Sequence, residues 1–145
     1  MAAPLPNRRN IFDLHYRADS AGNDVLCAPD GSPYAGIVYE ALPSGFVTLE
    51  YEVENGLKDG AEREFYSDGS VATITHYRQG WLHGDVVYYS ADGIPQEKSV
   101  FAYEVLLEEF AWNEAGVLMH HRAFELSEGH RRLIERLNAR YQLSD

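Results

Sequence analysis

Apolar and polar residues alternate along the middle of the chain in short runs that glycines separate. Residues 47–54 read VTLEYEVE and residues 71–78 read VATITHYR. A two-residue alternation bounded by glycine, serine and aspartate is typical of half-buried β-strands. The pattern therefore predicts a succession of antiparallel hairpins.

The glycines recur at a fixed interval of 24 residues. One series is Gly36, Gly60 and Gly84, and a second is Gly45, Gly69 and Gly93. A further copy, one residue shorter, contains Gly116. Such self-similarity indicates a repeat architecture in which each unit buries its apolar side against its neighbours. We expect an elongated antiparallel meander of about four hairpin repeats of 24 residues, within 36–125.

The inner glycine of each unit predicts a three-residue hairpin loop with glycine in the left-handed position. This loop pairs Ala41 with Val47 and Phe65 with Val71, whereas a two-residue loop would scatter the apolar residues. One face then carries Tyr39, Ala41, Val47, Leu49, Tyr51 and Val53, and the last unit gathers Phe110, Trp112, Leu118 and Phe124.

The segments 56–60 and 80–84 are expected to be longer junctions between hairpins. In the third junction, Glu104 to Glu108, the glycines are missing, so we expect the tight crossing to be lost. The sheet is expected to bend or shift register there, or the segment packs on another element; a partner-binding loop is the alternative.

The two ends of the chain depart from the repeat. Residues 1–35 predict a degenerate hairpin, with strands at 11–17 and 24–28. Residues 126–145 predict a helix that begins after Ser127 as N-cap, and its apolar stripe is Leu133, Ile134, Leu137 and Tyr141. We expect this helix to lie across the last hairpin and cap the open end of the sheet. The whole chain, 1–145, is expected to be one all-β domain with a C-terminal capping helix.

The junctions GLKDG (56–60) and GWLHG (80–84) and the lead-in DGSPYAG (30–36) carry a family resemblance. They resemble the bacterial variant of the MORN repeat, the membrane occupation and recognition nexus, and in particular the YwqK-like antitoxins. The resemblance covers about two thirds of the chain. It implies binding of a toxin or another protein, and it brings no catalytic residues with it.

Acidic residues are concentrated in the repeats. The chain has a formal net charge of −11, and residues 18–117 hold 18 acidic and 4 basic side chains. In the expected register, a group of glutamates and tyrosines faces away from the apolar columns and forms a candidate partner-binding face: Glu40, Glu50, Glu52, Glu54, Glu62, Glu64, Tyr66 and Tyr88. Such a face is either an ordinary solvated surface or a match for a basic partner.

Motifs for other chemistry are missing from the sequence. It contains no phosphate-binding loop, paired-cysteine metal site or nucleophile elbow, so we expect no enzyme, cofactor or metal. His120 and His121 are adjacent on a predicted strand and would point to opposite faces. The single Cys27 is expected to be a small buried or edge side chain. Without a signal peptide or a long apolar run, the chain is expected to be cytoplasmic.

Two functions are compatible with these features. The first is an immunity protein or antitoxin whose acidic face covers the basic active-site cleft of a toxin and mimics the phosphate backbone of its substrate. The second is a scaffold that binds another protein or the membrane surface, as MORN repeats are thought to do. The negative charge disfavours an anionic membrane and direct binding of nucleic acid.

Overall fold

The computed structural model describes residues 7–141, which form eleven strands, one 3₁₀ turn at Ile11–Asp13 and one helix. The strands are β1 (Arg8–Asn10), β2 (His15–Ala18), β3 (Asp24–Cys27), β4 (Gly36–Ala41), β5 (Val47–Glu54), β6 (Leu57–Phe65), β7 (Val71–Arg78), β8 (Trp81–Tyr89), β9 (Pro95–Ala102), β10 (Val105–Trp112) and β11 (Leu118–Ala123). The helix α1 spans Glu128–Tyr141. The predicted segments 1–35 and 126–145 include residues 1–6 and 142–145, which lie outside the described residues.

One nine-stranded sheet dominates the structure. Strands β4 to β11 follow one another in sequence order as an antiparallel meander, and β1 pairs in parallel with β4 at one edge. The mostly-β class and the meander agree with the expectation from the sequence. A separate two-stranded sheet contains β2 and β3.

The predicted three-residue loops are present. Ala41 pairs with Val47 across the first loop and Phe65 with Val71 across the second. In the first loop the amide of Gly45 donates to the carbonyl of Leu42 over 2.8 Å, and Gly45 has a φ of 92°. Left-handed backbone of this kind suits glycine, which has no Cβ. The glycine pattern thus located the hairpin loops correctly.

A bulge beside each loop overturns the predicted division of side chains between the faces. Ala41 pairs with Val47, but the next pair is Glu40 with Leu49, so β5 holds one extra residue. A shift of one residue moves every following side chain to the other face. Tyr39 therefore lies opposite Glu50 and not on the face of Leu49, Tyr51 and Val53.

The last hairpin contains a bulge of the same kind, which again changes the predicted faces. Its pairing moves from Trp112 with Leu118 to Ala111 with His120. Phe110 therefore shares a face with His121, while Phe124, three residues further along the chain, points to the opposite face. The predicted apolar group of Phe110, Trp112, Leu118 and Phe124 is thus divided. His120 and His121 do lie on opposite faces, as the sequence predicted.

The junctions between hairpins are shorter than expected. The turn between β5 and β6 consists of Asn55 and Gly56, both with positive φ, and the residues after it already belong to β6. Two consecutive left-handed residues make a type I′ turn, whose twist suits a tight hairpin. The second glycine, Gly60, lies within β6, where three residues of β6 stand against one of β5. The segment 56–60 is thus a turn followed by a bulge, and not a loop.

The third junction keeps the tight turn without glycine. Tyr103 and Glu104 adopt φ values of 46° and 70°, and the amide of Glu104 donates to the carbonyl of Leu82 over 2.7 Å. Gly80 donates in the same way to Lys58, which lies 22 residues before it. The tight crossing is therefore retained, and its expected loss is wrong. The expected register shift is a one-residue bulge at Leu107, which makes this unit shorter.

The N-terminal hairpin folds onto the sheet instead of extending it. Leu26 and Tyr34 pack with Val38, Tyr51 and Val53 in one buried cluster. The predicted strand at 11–17 is divided into the 3₁₀ turn and β2. Cys27, in β3, is fully buried, as expected.

The helix packs on the junction ends of the strands. The amide of His130 donates to Ser127 Oγ over 3.1 Å, which confirms the predicted N-cap. The predicted stripe contacts Trp81, Ala102, Tyr103 and Leu107. These contacts lie on β8, β9 and β10, and all six residues of the edge strand β11 remain exposed, so the expected cover over the open edge is wrong. Within 7–141, no helix is long and apolar enough to cross a membrane.

Candidate protein-binding face

The two faces of the sheet differ in what covers them. We call the face that carries Tyr51, Tyr77 and Tyr88 the tyrosine face, and the N-terminal hairpin covers one end of it. The opposite face is called the helix face, because Ala102 packs in one cluster with Leu137 of α1 there and Arg78 donates to the carbonyl of Tyr141. Directly paired residues of neighbouring strands lie on the same face, so the strand register assigns each side chain.

One row of paired residues crosses the whole tyrosine face. In spatial order it contains Glu40, Leu49, Glu64, Thr73, Tyr88, Glu97, Ala111 and His120. Glu62 pairs with Tyr51 on the same face. Tyr66 directly follows the end of β6, two residues beyond Glu64, and its hydroxyl donates to the carbonyl of Tyr89. Five of the eight predicted residues therefore share this face: Glu40, Glu62, Glu64, Tyr66 and Tyr88.

The other three predicted residues lie on the helix face. Glu50 stands between two arginines, with its carboxylate 3.9 Å from Arg8 and 4.0 Å from Arg63. Glu52 Oε2 accepts a hydrogen bond of 2.5 Å from the amide of Ala61, beside the bulge at Gly60. Glu54 is exposed on the same strand. The single acidic face expected from the sequence is therefore two groups, and Glu50 and Glu52 have structural partners.

The glutamates in the open part of the tyrosine face have no such partners. Within residues 7–141, Glu40, Glu64 and Glu97 form no ion pair. Tyr66 is 36% exposed and Tyr88 48% exposed. The combination gives a surface of uncompensated carboxylates around large amphipathic side chains, which is a composition suited to a polar, cationic partner.

A different arrangement occupies the covered end of the tyrosine face. The ammonium of Lys58 lies 4.6 Å from the ring centroid of Tyr51 and 4.9 Å from that of Tyr77. It also donates to the Glu62 carboxylate, which accepts a second hydrogen bond of 3.4 Å from the Tyr77 hydroxyl. We call Tyr51, Tyr77 and Glu62 the aromatic cage. Burial, with the nearby charge of Glu62, raises the pKa of Tyr77 to about 12.

Sequence reasoning assigned Glu62 to an exposed acidic surface and left Lys58, Tyr51 and Tyr77 without a role in binding. Glu62 is only 9% exposed. One signal could have found the cage, because Lys58 and Glu62 stand where the next repeat has Leu82 and Val86, 24 residues later. A charged pair where the next repeat has two apolar residues is an unusual departure from the repeat.

Other groups of reactive side chains are distributed differently. His120 pairs with Glu109 on the tyrosine face, at 3.1 Å, and His121 with Glu108 on the helix face, at 2.9 Å. Among the described residues, no three histidine, cysteine or carboxylate side chains are placed to hold a metal ion. These pairs fasten the edge strand β11 to β10.

Comparison with known proteins identifies no similar protein. No family model matches the chain, and no curated protein or solved structure matches it.

Proposed function

We propose that this chain is a non-enzymatic protein-binding module that acts as a cytoplasmic immunity protein, and that it neutralises a toxin by covering its basic active-site cleft. The sequence resemblance to bacterial MORN-type antitoxins suggested this class. The observation that carries the proposal is the tyrosine face, where Glu40, Glu64 and Glu97 have no ion-pair partners beside the exposed Tyr66 and Tyr88. A scaffold that binds the membrane surface fits less well, because the net charge of −11 is repelled by anionic lipid.

The physical argument rests on charge and on contact area. Unpaired carboxylates on one face repel one another, so bringing them near a cationic surface relieves that repulsion and accelerates the encounter. The three carboxylates, on β4, β6 and β9, form one row across the strands. A row of anions resembles the phosphates of a nucleic-acid backbone, which a toxin that cleaves nucleic acid must bind. Tyr66 and Tyr88 supply large contacts with few rotatable bonds.

Protection in cells tests this function. The toxin encoded beside the gene for this chain is expressed with the wild-type chain and with Tyr66→Ala, Tyr88→Ala and the double variant. We expect the wild type to restore growth and the double variant to lose protection, since a buried aromatic anchor commonly contributes roughly 2 kcal/mol or more to binding. Full protection by the double variant would show that the partner binds elsewhere.

A matched control keeps loss of binding distinct from loss of folding. Phe12 is 86% exposed in the 3₁₀ turn, outside the row of paired residues on the tyrosine face. Phe12→Ala removes an exposed aromatic side chain elsewhere, and we expect it to protect as well as the wild type does. Equal loss of protection in Phe12→Ala and Tyr88→Ala would indicate a general effect on the protein.

A further inference from the structure

The aromatic cage is built as a receptor for an organic cation. Two tyrosine rings lie within 5 Å of one ammonium group, at 4.6 and 4.9 Å. The carboxylate of Glu62 completes the arrangement, because it accepts from that ammonium. Aromatic faces attract cations through their quadrupole, and cages of this kind recognise ammonium ligands. The occupant in this structure is the chain's own Lys58.

The fold does not need a charged pair at this place. The next repeat has Leu82 and Val86 at the equivalent positions, and Val86 is 7% exposed. Leu82 pairs with Tyr77 in the same way that Lys58 pairs with Val53. Replacing a buried ion pair with apolar residues is often neutral or stabilising. The pair at 58 and 62 therefore calls for a reason other than stability.

The cage is open to solvent on the side of Lys58, although Tyr51 itself is buried. About a third of the Lys58 side chain is exposed, at 35%, while that of Glu62 is 11% exposed. A groove of about 230 Å³ runs beside Lys58 and Tyr51, and Asp24 adds a further carboxylate to its wall. The lysine side chain can leave such a site along its open side, because its ammonium is attached to a flexible chain of four methylene groups.

We infer that Tyr51, Tyr77 and Glu62 bind the ammonium group of a lysine from the partner, and that Lys58 occupies this site in the free protein. The inference deepens the proposed function, because it names the side chain that the tyrosine face receives. Lys58 then has two effects. Before the partner binds, it donates a hydrogen bond to the buried carboxylate of Glu62. It also raises the affinity that an incoming lysine needs, since only a lysine held in place by surrounding contacts can displace a tethered competitor.

The experiment uses n-butylammonium, which reproduces the lysine side chain, and needs no partner protein. The folded fraction of Lys58→Ala is followed by circular dichroism in urea, in n-butylammonium chloride and in sodium chloride at equal ionic strength. We expect n-butylammonium to stabilise Lys58→Ala, lowering its unfolding constant about tenfold at ten times the dissociation constant. The wild type, whose cage is filled, should show no difference between the two salts.

The double variant Lys58→Leu/Glu62→Val provides the control, because it copies the residues of the next repeat. We expect it to fold and to respond equally to the two salts. If Lys58→Ala is unfolded in plain buffer, n-butylammonium must restore its β-sheet signal. Equal effects of the two salts on Lys58→Ala, or the same gain from n-butylammonium in the double variant, would overturn the inference. The protection experiment stands apart, so failure here leaves the immunity proposal to its own test.

Discussion

The hydroxyl of Tyr103 donates a hydrogen bond of 2.8 Å to Asn138 Oδ1, which ties the last tight turn of the sheet to the helix. The Tyr103 side chain is 1% exposed, and its ring stands edge-on to Trp81 at 6.2 Å. The residue thus anchors α1 from a backbone position that usually holds glycine or asparagine.

Tyr103→Phe should lower the free energy of unfolding by about 1 kcal/mol, since it removes one hydrogen bond and keeps the ring. Urea unfolding measures this change. Tyr88→Phe is the control, because Tyr88 is half exposed, and it should leave the unfolding midpoint unchanged. Equal midpoints for Tyr103→Phe and the wild type would mean that the bond to Asn138 contributes nothing to stability.

Glu104→Gly should stabilise the protein. Glu104 holds a φ of 70°, and the equivalent residues of the earlier junctions are Gly56 and Gly80. Left-handed backbone costs an ordinary residue about 1–2 kcal/mol, of which the extra chain entropy of glycine cancels part. We expect a net gain of about 0.5–1 kcal/mol in thermal unfolding. A lower melting temperature would show that the Glu104 side chain contributes more than its backbone strain costs.

Two glycines with similar φ values should respond differently to alanine. At Gly69, φ is 88° and an added Cβ meets no atom within 4 Å, so Gly69→Ala should cost only the backbone strain, about 1–2 kcal/mol. At Gly56, φ is 76°, and the added Cβ would lie 2.2 Å from Val25 Cγ1 and 2.7 Å from the carbonyl of Leu26. Gly56→Ala should therefore be clearly the more destabilising substitution in urea. Equal losses would contradict the packing of the N-terminal hairpin on this turn.

Stability should fall in strong base because of Tyr77. Burial and the Glu62 carboxylate raise the pKa of Tyr77 to about 12, from about 10 in an unfolded chain. A raised pKa means that the fold favours the neutral phenol. Its contribution is complete below pH 10 and is lost as the pH rises from about 10 to 12. Tyr77→Phe removes this contribution, so its urea midpoint should fall less over that interval. Parallel curves for the two proteins would contradict the assignment.

The sequence predicted the hairpin loops well, because loop chemistry is local. Gly45 and Gly69 had to adopt left-handed backbone in a three-residue loop, and neighbouring residues alone determine this. The N-cap at Ser127 and the stripe of α1 were equally local. Predicting these features requires no information about contacts between distant parts of the chain.

The division of the acidic residues between the faces could not be predicted in this way. It depends on the one-residue bulge at Thr48, which separates Glu40 from Glu50. It also depends on the two-residue turn between β5 and β6, which places Glu62 opposite Tyr51 and so on the other face from Glu50. The alternation along β5 is the same with or without the bulge. Glu50 and Glu62 therefore looked equivalent in sequence, although one lies between two arginines and the other beneath Lys58.

The association rate with the toxin at two salt concentrations tests most directly whether the tyrosine face is the binding surface. Glu40, Glu64 and Glu97 are changed together to lysine, which shifts the charge of the face by about six units. The control changes Glu54, Asp92 and Glu114, which are exposed on the helix face or in loops, and shifts the net charge equally.

We expect the first triple variant to associate at least about tenfold more slowly than the wild type at low salt, and the difference to shrink at high salt. The control variant should slow much less, because its altered charges lie away from the contact. Equal rates for the two triple variants at low salt would show that only the net charge matters and that the tyrosine face is not the binding surface.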